Sequence, residues 1–247
     1  MTAARTLSHS TLEKIQSHFH LSEIHNAEGD AYMPLNSPFG RVGELRLFKG
    51  TAIHKMVYIG LSVAQIGLDS HMIFAFTPPD SPVPHFTLDS VMNGADNFAF
   101  HLDLIPRVDL GATLPYIFHV YSPLDIHFYA AAQLEGLTPA RLGPTQYAIM
   151  SPWMLAFRAT AAAFDTIQPS VDHYLNHWIS LVESGIPSDV VSAQTGEDFA
   201  ERDRLNRAAI FNPEVDKVWA QVDRLLGTET SAVLRTILIN QEVEERA

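Results

Sequence analysis

The sequence predicts an α+β fold: a single domain over residues 1–247 built as a three-layer α/β/α sandwich with a central antiparallel sheet. Three observations predict it. Apolar and polar residues alternate with a period of two through the first third of the chain after the N-terminal segment. Helical spacing takes over after about residue 112. Helical patterns at both chain ends then supply a layer for each sheet face.

The first helix is expected over Ser10–His25. Strands follow at Glu44–Lys49, Lys55–Ser62, Asp69–Phe76, His85–Met92 and Asn97–Leu104, joined by short turns in an antiparallel meander. Further helices are expected over Asp125–Glu135, Tyr147–Phe164, Ser170–Ser184, Ser188–Phe211, Pro213–Leu226 and Thr230–Glu242. The Pro- and Gly-containing stretches 77–84 and 136–144 are short and flanked by apolar runs, so they read as turns and not linkers.

Composition narrows the function classes. The absence of cysteine excludes a disulfide framework, a thiolate nucleophile and a cysteine-bound zinc or iron–sulfur cluster. The formal charge of −12 opposes nucleic acid and anionic membrane surfaces, so neither is expected as a partner. The chain lacks the run of ~18 to 20 uncharged apolar residues that a spanning helix needs, and MTAARTLSHSTLEKIQ lacks the apolar core of a secretory signal. A cytoplasmic protein is the expectation. No P-loop, GxSxG elbow or GxGxxG element appears, which removes the simplest kinase, hydrolase and dehydrogenase readings.

The hairpin 85–104 is the most informative local piece. Phe86, Leu88 and Met92 share one face with Phe98, Phe100, Leu102 and Leu104, whereas His85, Thr87, Asp89, His101 and Asp103 share the other. Matching the apolar faces requires paired numbers with an even sum. The tightest solution leaves Asn93, Gly94 and Ala95 as the loop and sets Asp89 opposite Ala99, Thr87 opposite His101 and His85 opposite Asp103. A solvated outer face gives the same alternation as a buried polar site. This face carries no Lys or Glu, the usual residues of solvated strands, and so His85, Thr87, Asp89 and His101 stand as site candidates.

The stretch 55–110, with KMVYIGLS, LDSHMIFAF, PVPHFTLDSV and NFAFHLDLIPRVDL, resembles the central sheet of the ferredoxin-dependent bilin reductase and red chlorophyll catabolite reductase superfamily. The stretch 212–240, NPEVDKVWAQVDRLLGTETSAVLRTILIN, is similar to that family's closing helix pair. The resemblance implies one bilin-reductase-like domain in which an open-chain tetrapyrrole lies between the sheet and the C-terminal helices. It implies reduction of a substrate such as biliverdin or red chlorophyll catabolite by single electrons from reduced ferredoxin, with no bound flavin, nicotinamide or metal. It places Asp89 at the family's sheet carboxylate, Asp216 at its helix aspartate, and His71 near its strand histidine. The glutamate of some bilin reductases corresponds to Gly60. A homodimer is compatible with the reading.

Buried among apolar groups, a carboxyl has its charged form disfavoured and can hold a proton near neutrality, which suits Asp89 as a general acid. His85 and His101 can hold or resupply that proton. Asp216 has a local alternative, since Glu214 and Asp216 also favour the start of a helix whose buried stripe is Val215, Val218, Trp219, Val222 and Leu226. Arg107 offers a guanidinium fork to a propionate, or a turn contact to Asp109. His173 and His177 have metal-ligand spacing on a helix, but no HExxH glutamate follows and they read as surface or core histidines. The alternative function is a tetrapyrrole-binding carrier or isomerase that performs no net reduction. For a ferredoxin, which is acidic, the nearest basic patch is formed by residues 202, 204, 207 and 217.

Overall fold

The computed structural model describes residues 1–191 and 198–243. Nine strands among them form one antiparallel sheet: β1 (Ser22–Ile24), β2 (Met33–Ser37), β3 (Gly40–Lys49), β4 (Lys55–Val63), β5 (Leu68–Phe76), β6 (His85–Asn93), β7 (Phe98–Ile105), β8 (Leu137–Pro139) and β9 (Leu155–Ala159). Their order is β1-β3-β4-β5-β6-β7-β9-β8, with β2 also paired to β3. The expected meander is the centre of this sheet. Helices are α1 (Ala3–His18), α2 (Leu114–Tyr116), α3 (Asp125–Gln133), α4 (Pro144–Ile149), α5 (Ala161–Phe164), α6 (Gln168–Ser184), α7 (Phe199–Ile210), α8 (Trp219–Leu226) and α9 (Thr228–Ile239). None is long and apolar enough to cross a membrane.

The sandwich has three layers, as the sequence predicts. One sheet face packs Phe86, Leu88, Phe100 and Leu102 against α1 and α6; the other packs Leu47, Val57, Ile59 and Phe74 against α7, α8 and α9. Helix α6 carries Val171, Tyr174, Leu175, Trp178 and Leu181 inward at helical spacing. Trp178 packs on Phe86 and its indole N–H donates to the Pro84 carbonyl at 2.8 Å. Burying each such side chain contributes roughly 1.5–3 kcal/mol. Strand β4 is buried on both faces except at Ser62, so it reads as a continuous apolar run.

Several boundaries differ from expectation for identifiable reasons. Helix α1 starts seven residues earlier because Thr2 caps it, accepting the Arg5 N–H at 3.1 Å, and Ser8 and Thr11 in its buried stripe break the apolar pattern. It ends before His20, whose φ of 52° is left-handed. The helix expected over Tyr147–Phe164 is three pieces, α4, β9 and α5, because Leu155, Phe157 and Ala159 alternate along the exposed edge of β7 and pair with it. Helix α7 begins at Phe199, where the Asp198 carboxylate accepts the Glu201 N–H at 3.0 Å; residues 192–197 of the longer expected helix lie outside the described residues. Helix α8 begins at Trp219 instead of Pro213, and Val218 is exposed, outside the buried stripe.

The hairpin keeps its predicted parity but slides by two. Asp89 pairs with His101, Thr87 with Asp103 and His85 with Ile105. The three-residue loop is therefore 94–96, closed by the Asn93 N–H on the Asn97 carbonyl at 2.8 Å. Two long-range bonds fix this choice: the Gly94 N–H donates to the Gly67 carbonyl at 3.0 Å, and the Asp96 carboxylate accepts the Ala161 N–H at 2.7 Å. Gly94 supplies the required positive φ of 91°.

Candidate functional site

The polar face of the β6–β7 hairpin is covered, not solvated: His85, Thr87 and Asp103 are at most 1% exposed. Over it lies a cavity of about 300 Å³. Its floor is the sheet at Ile59, Met72, Thr87, Asp89, Ala99 and His101, and its roof is Phe211, Asp216, Trp219, Val222 and Leu238 from the C-terminal helical layer. The lining is mostly apolar, the usual character of a small-molecule site.

Three ionisable groups converge there. His101 Nδ1 stands 3.8 Å from Asp89 Oδ2, an ion-pair distance too long for a direct hydrogen bond. Asp216 lies in the turn before α8, with its carboxylate accepting the Val218 N–H at 3.0 Å. Burial opposes charge on His101, but the attraction of Asp89, then of Asp103 and Asp216, outweighs it and raises the imidazole pKa. Burial raises the Asp216 pKa, with the nearby Asp89 carboxylate adding to the effect. Both groups are thus biased towards holding a proton. The register explains the meeting: a slide of two places His101, not Ala99, directly across from Asp89.

Behind this trio, the Asp103 carboxylate accepts the Ser151 N–H at 3.0 Å and the Ser151 hydroxyl. Burial raises its pKa too, against the attraction of His101. Thr87 Oγ1, Asp89 Oδ1, His101 Nε2 and Trp219 Nε1 are buried and have no hydrogen-bond partner among the described residues. Orphaned polar atoms cost about 1–3 kcal/mol each when nothing satisfies them, so four in one cavity wall mark unspent bonding capacity.

The other sequence candidates lie elsewhere. His71 is on the opposite sheet face, because it pairs with Ser90 and Gly60 while Asp89 pairs with Met72. There Tyr58 bridges it to α1: the phenol bonds His71 Nδ1 at 2.7 Å and His9 Nε2 at 2.9 Å, and His71 Nε2 faces Asp69 at 3.2 Å. His85 and Arg107 are not in the cavity wall but in a closed network around Asp203 of α7. His85 Nδ1 accepts the Thr77 N–H at 3.1 Å, which leaves its proton on Nε2 for Asp203 at 2.5 Å. Asp203 also accepts from Arg207 Nε at 2.9 Å and Gln241 at 2.8 Å, and Arg107 Nη1 approaches it at 3.5 Å. Arg107 donates to the Pro79 carbonyl at 2.6 Å. Burial, followed by the Arg107 charge, pushes His85 down to about 3; Asp203 is held below the usual carboxylate range because His85 and the two guanidinium groups outweigh its burial. Arg107 is spent on this network instead of on Asp109, whose carboxylate accepts the Gly111 N–H at 2.9 Å.

The expected basic patch loses Arg207 to the interior, and Arg204, though exposed, is held in an ion pair. Arg207 is buried with its guanidinium 3.8 Å over the Phe76 ring, and Arg204 is paired with Glu201 at 2.7 Å. His173 and His177 donate from Nε2 to carbonyls of the turns between α2 and α3, to Pro123 at 2.9 Å and to Val120 at 2.7 Å. Sequence reading missed Asp203 and Trp219. The usable signal for Asp203 was its i, i+4, i+7 spacing with Arg207 and Ile210, which puts a charged pair on an inward helix face.

The fold and cavity define a three-layer α/β/α protein with a largely apolar cavity whose wall holds two carboxylates and an imidazole. No family profile and no curated protein matches the sequence. Among solved structures the chain is similar to phytochromobilin synthase from tomato in complex with biliverdin, with a TM-score of 0.74 and 18% identity over 98% of this chain and 85% of that one. That likeness is one of fold.

Proposed function

We propose that this chain binds a linear tetrapyrrole in the cavity and reduces it, taking single electrons from reduced ferredoxin or a similar carrier. The observation that carries the reading is the meeting of Asp89, His101 and Asp216 in an apolar cavity on the fold of a synthase solved with biliverdin. Reducing one double bond consumes two electrons and two protons, and the protons must reach basic carbon or oxygen atoms in place. His101 and Asp216, both biased to the protonated form, are suited to deliver them. The Asp89 carboxylate then stabilises the imidazolium by its charge, and His101 is the donor that this charge keeps loaded. The orphaned Thr87 hydroxyl and Trp219 indole N–H are available to ligand polar groups.

A second reading is favoured by one observation. With Arg207 buried and Arg204 paired to Glu201, a chain of charge −12 offers little basic surface to an acidic electron carrier. A carrier or isomerase that binds a tetrapyrrole without net reduction fits that surface. Anaerobic incubation with biliverdin and reduced ferredoxin separates the two. Loss of the long-wavelength bilin band in step with electrons supplied supports reduction; a reshaped band that persists assigns the carrier role; no spectral change with any open-chain tetrapyrrole removes both.

A further inference from the structure

Four of the ten exposed large apolar side chains among the described residues fall within one 16-residue stretch: Leu114, Phe118, Ile126 and Tyr129, each 61–71% exposed. They belong to the unbroken helical run from α2 through a π-turn and a 3-10 turn into α3. At about 100° per residue, their positions fall within an arc of about 120° on one side of that run. The other side, with Tyr116, Val120, Tyr121 and Leu124, is buried in the core beneath α6. The stripe is thus an unpartnered apolar helix face, remote in the chain from the cavity residues.

Charge and area indicate what covers it. Between Leu110 and Leu134 the only ionised residue is Asp125, and its carboxylate is engaged by the Trp153 indole N–H at 2.6 Å. A chain of −12 therefore has a neutral face here. The segment itself brings no Lys or Arg to an anionic lipid, a nucleic acid or an acidic protein, whereas a second copy brings an equally uncharged segment. Large side chains carry about 150–250 Å² each, so four at roughly two-thirds exposure supply on the order of 500 Å² per copy. A symmetric pair then buries about 1,000 Å², the lower bound for a specific interface, and flanking Pro115 and Ala130 extend it.

We infer that the Leu114/Phe118/Ile126/Tyr129 stripe is an isologous dimer interface between two copies of this chain. The contact is at the small end of specific interfaces, so the test spans a wide concentration range. Sedimentation velocity from roughly 1 to 100 µM should show the mass rising from 27.4 kDa towards twice that value. Phe118→Glu/Tyr129→Glu and, separately, Ile126→Lys should hold it at 27.4 kDa, with circular dichroism and melting temperature unchanged because these side chains are exposed. A wild-type monomer at every concentration overturns the inference, as does a dimer that persists in both variants. Pelleting of a monomeric wild type with phosphatidylcholine vesicles, abolished by the same variants, assigns the stripe to a lipid surface and also overturns it.

Discussion

Replacing Asp89 by Asn keeps the size of the side chain and its capacity for hydrogen bonds while removing its charge. The charge acts on His101 across 3.8 Å. At about 4 Å two unit charges interact by about 1 kcal/mol in water and about 4 kcal/mol at an effective dielectric of ~20. The pair shares its cavity with Ile59, Met72 and Trp219 yet keeps 20% and 28% of its side-chain surface exposed, which sets the interaction at ~2 kcal/mol, between those limits. That exceeds the ~1.4 kcal/mol worth a factor of ten, so the ratio of imidazolium to imidazole at His101 should fall more than tenfold. Turnover should drop by the ~10²- to 10⁴-fold typical of losing a general acid, while the bilin still binds. The assays are an absorbance titration with biliverdin, an anaerobic rate measurement, and an NMR titration of the His101 ring. Full turnover in Asp89→Asn, combined with loss of activity in His101→Gln or Asp216→Asn, refutes the donor assignment. Failure of Asp89→Asn to fold makes the residue structural.

Three more outcomes follow from the buried groups. His85 is pushed down to about 3 when folded, against roughly 6.5 unfolded, so below pH 6.5 the unfolded chain takes up a proton that the folded chain refuses. Stability present above that pH is lost as pH falls towards 3, by at most about 1.4 kcal/mol per unit from this group, and urea midpoints that stay flat from pH 7 to pH 5 contradict a neutral His85. Asp203→Ala strands the buried Arg107 and Arg207 guanidinium groups without their carboxylate, at a cost of about 3–5 kcal/mol; a loss under 1 kcal/mol in chemical denaturation shows that the network is not held by this charge. Gly60→Ala would set a Cβ 2.5 Å from the Tyr58 hydroxyl, displacing the His9–Tyr58–His71 bridge and lowering stability by about 1–3 kcal/mol. Because Gly60 lies on the face away from the cavity, biliverdin affinity in that variant should match wild type.

How much of the site was legible depended on which pairings a local pattern can fix. The alternation along 85–104 was enough to put Asp89, Thr87 and His101 on one face, because side-chain parity survives any even shift of register. It could not decide between loops at 93–95 and 94–96, since both include Gly94 and the choice rests on Gly67 and Ala161, which are distant in sequence. The β5–β6 connection of eight residues leaves parity open altogether, so the local pattern cannot show that the sheet separates His71, which only the family resemblance brings forward, from Asp89. Likewise β9 reads as helix because its partner strand, not its own composition, makes it a strand.

Asp216 has the same character. Locally it is one of two acids in an N-terminal turn after Pro213, and its carboxylate does bond the Val218 N–H as such a residue would. What separates it from an ordinary cap is the later start of α8, which turns residues 213–218 into a connection that drops Asp216 over the β6–β7 hairpin instead of along a helix side. Once there, it feels Asp89 and His101, and a capping carboxylate that should sit low is held high. Carboxylates beside one buried imidazole favour its protonated form, and burial disfavours charge on Asp216, so His101 and Asp216 both lean towards holding a proton. A proton so held, beside an apolar cavity, is the physical property that a proton-coupled reduction needs and that a passive binding pocket does not.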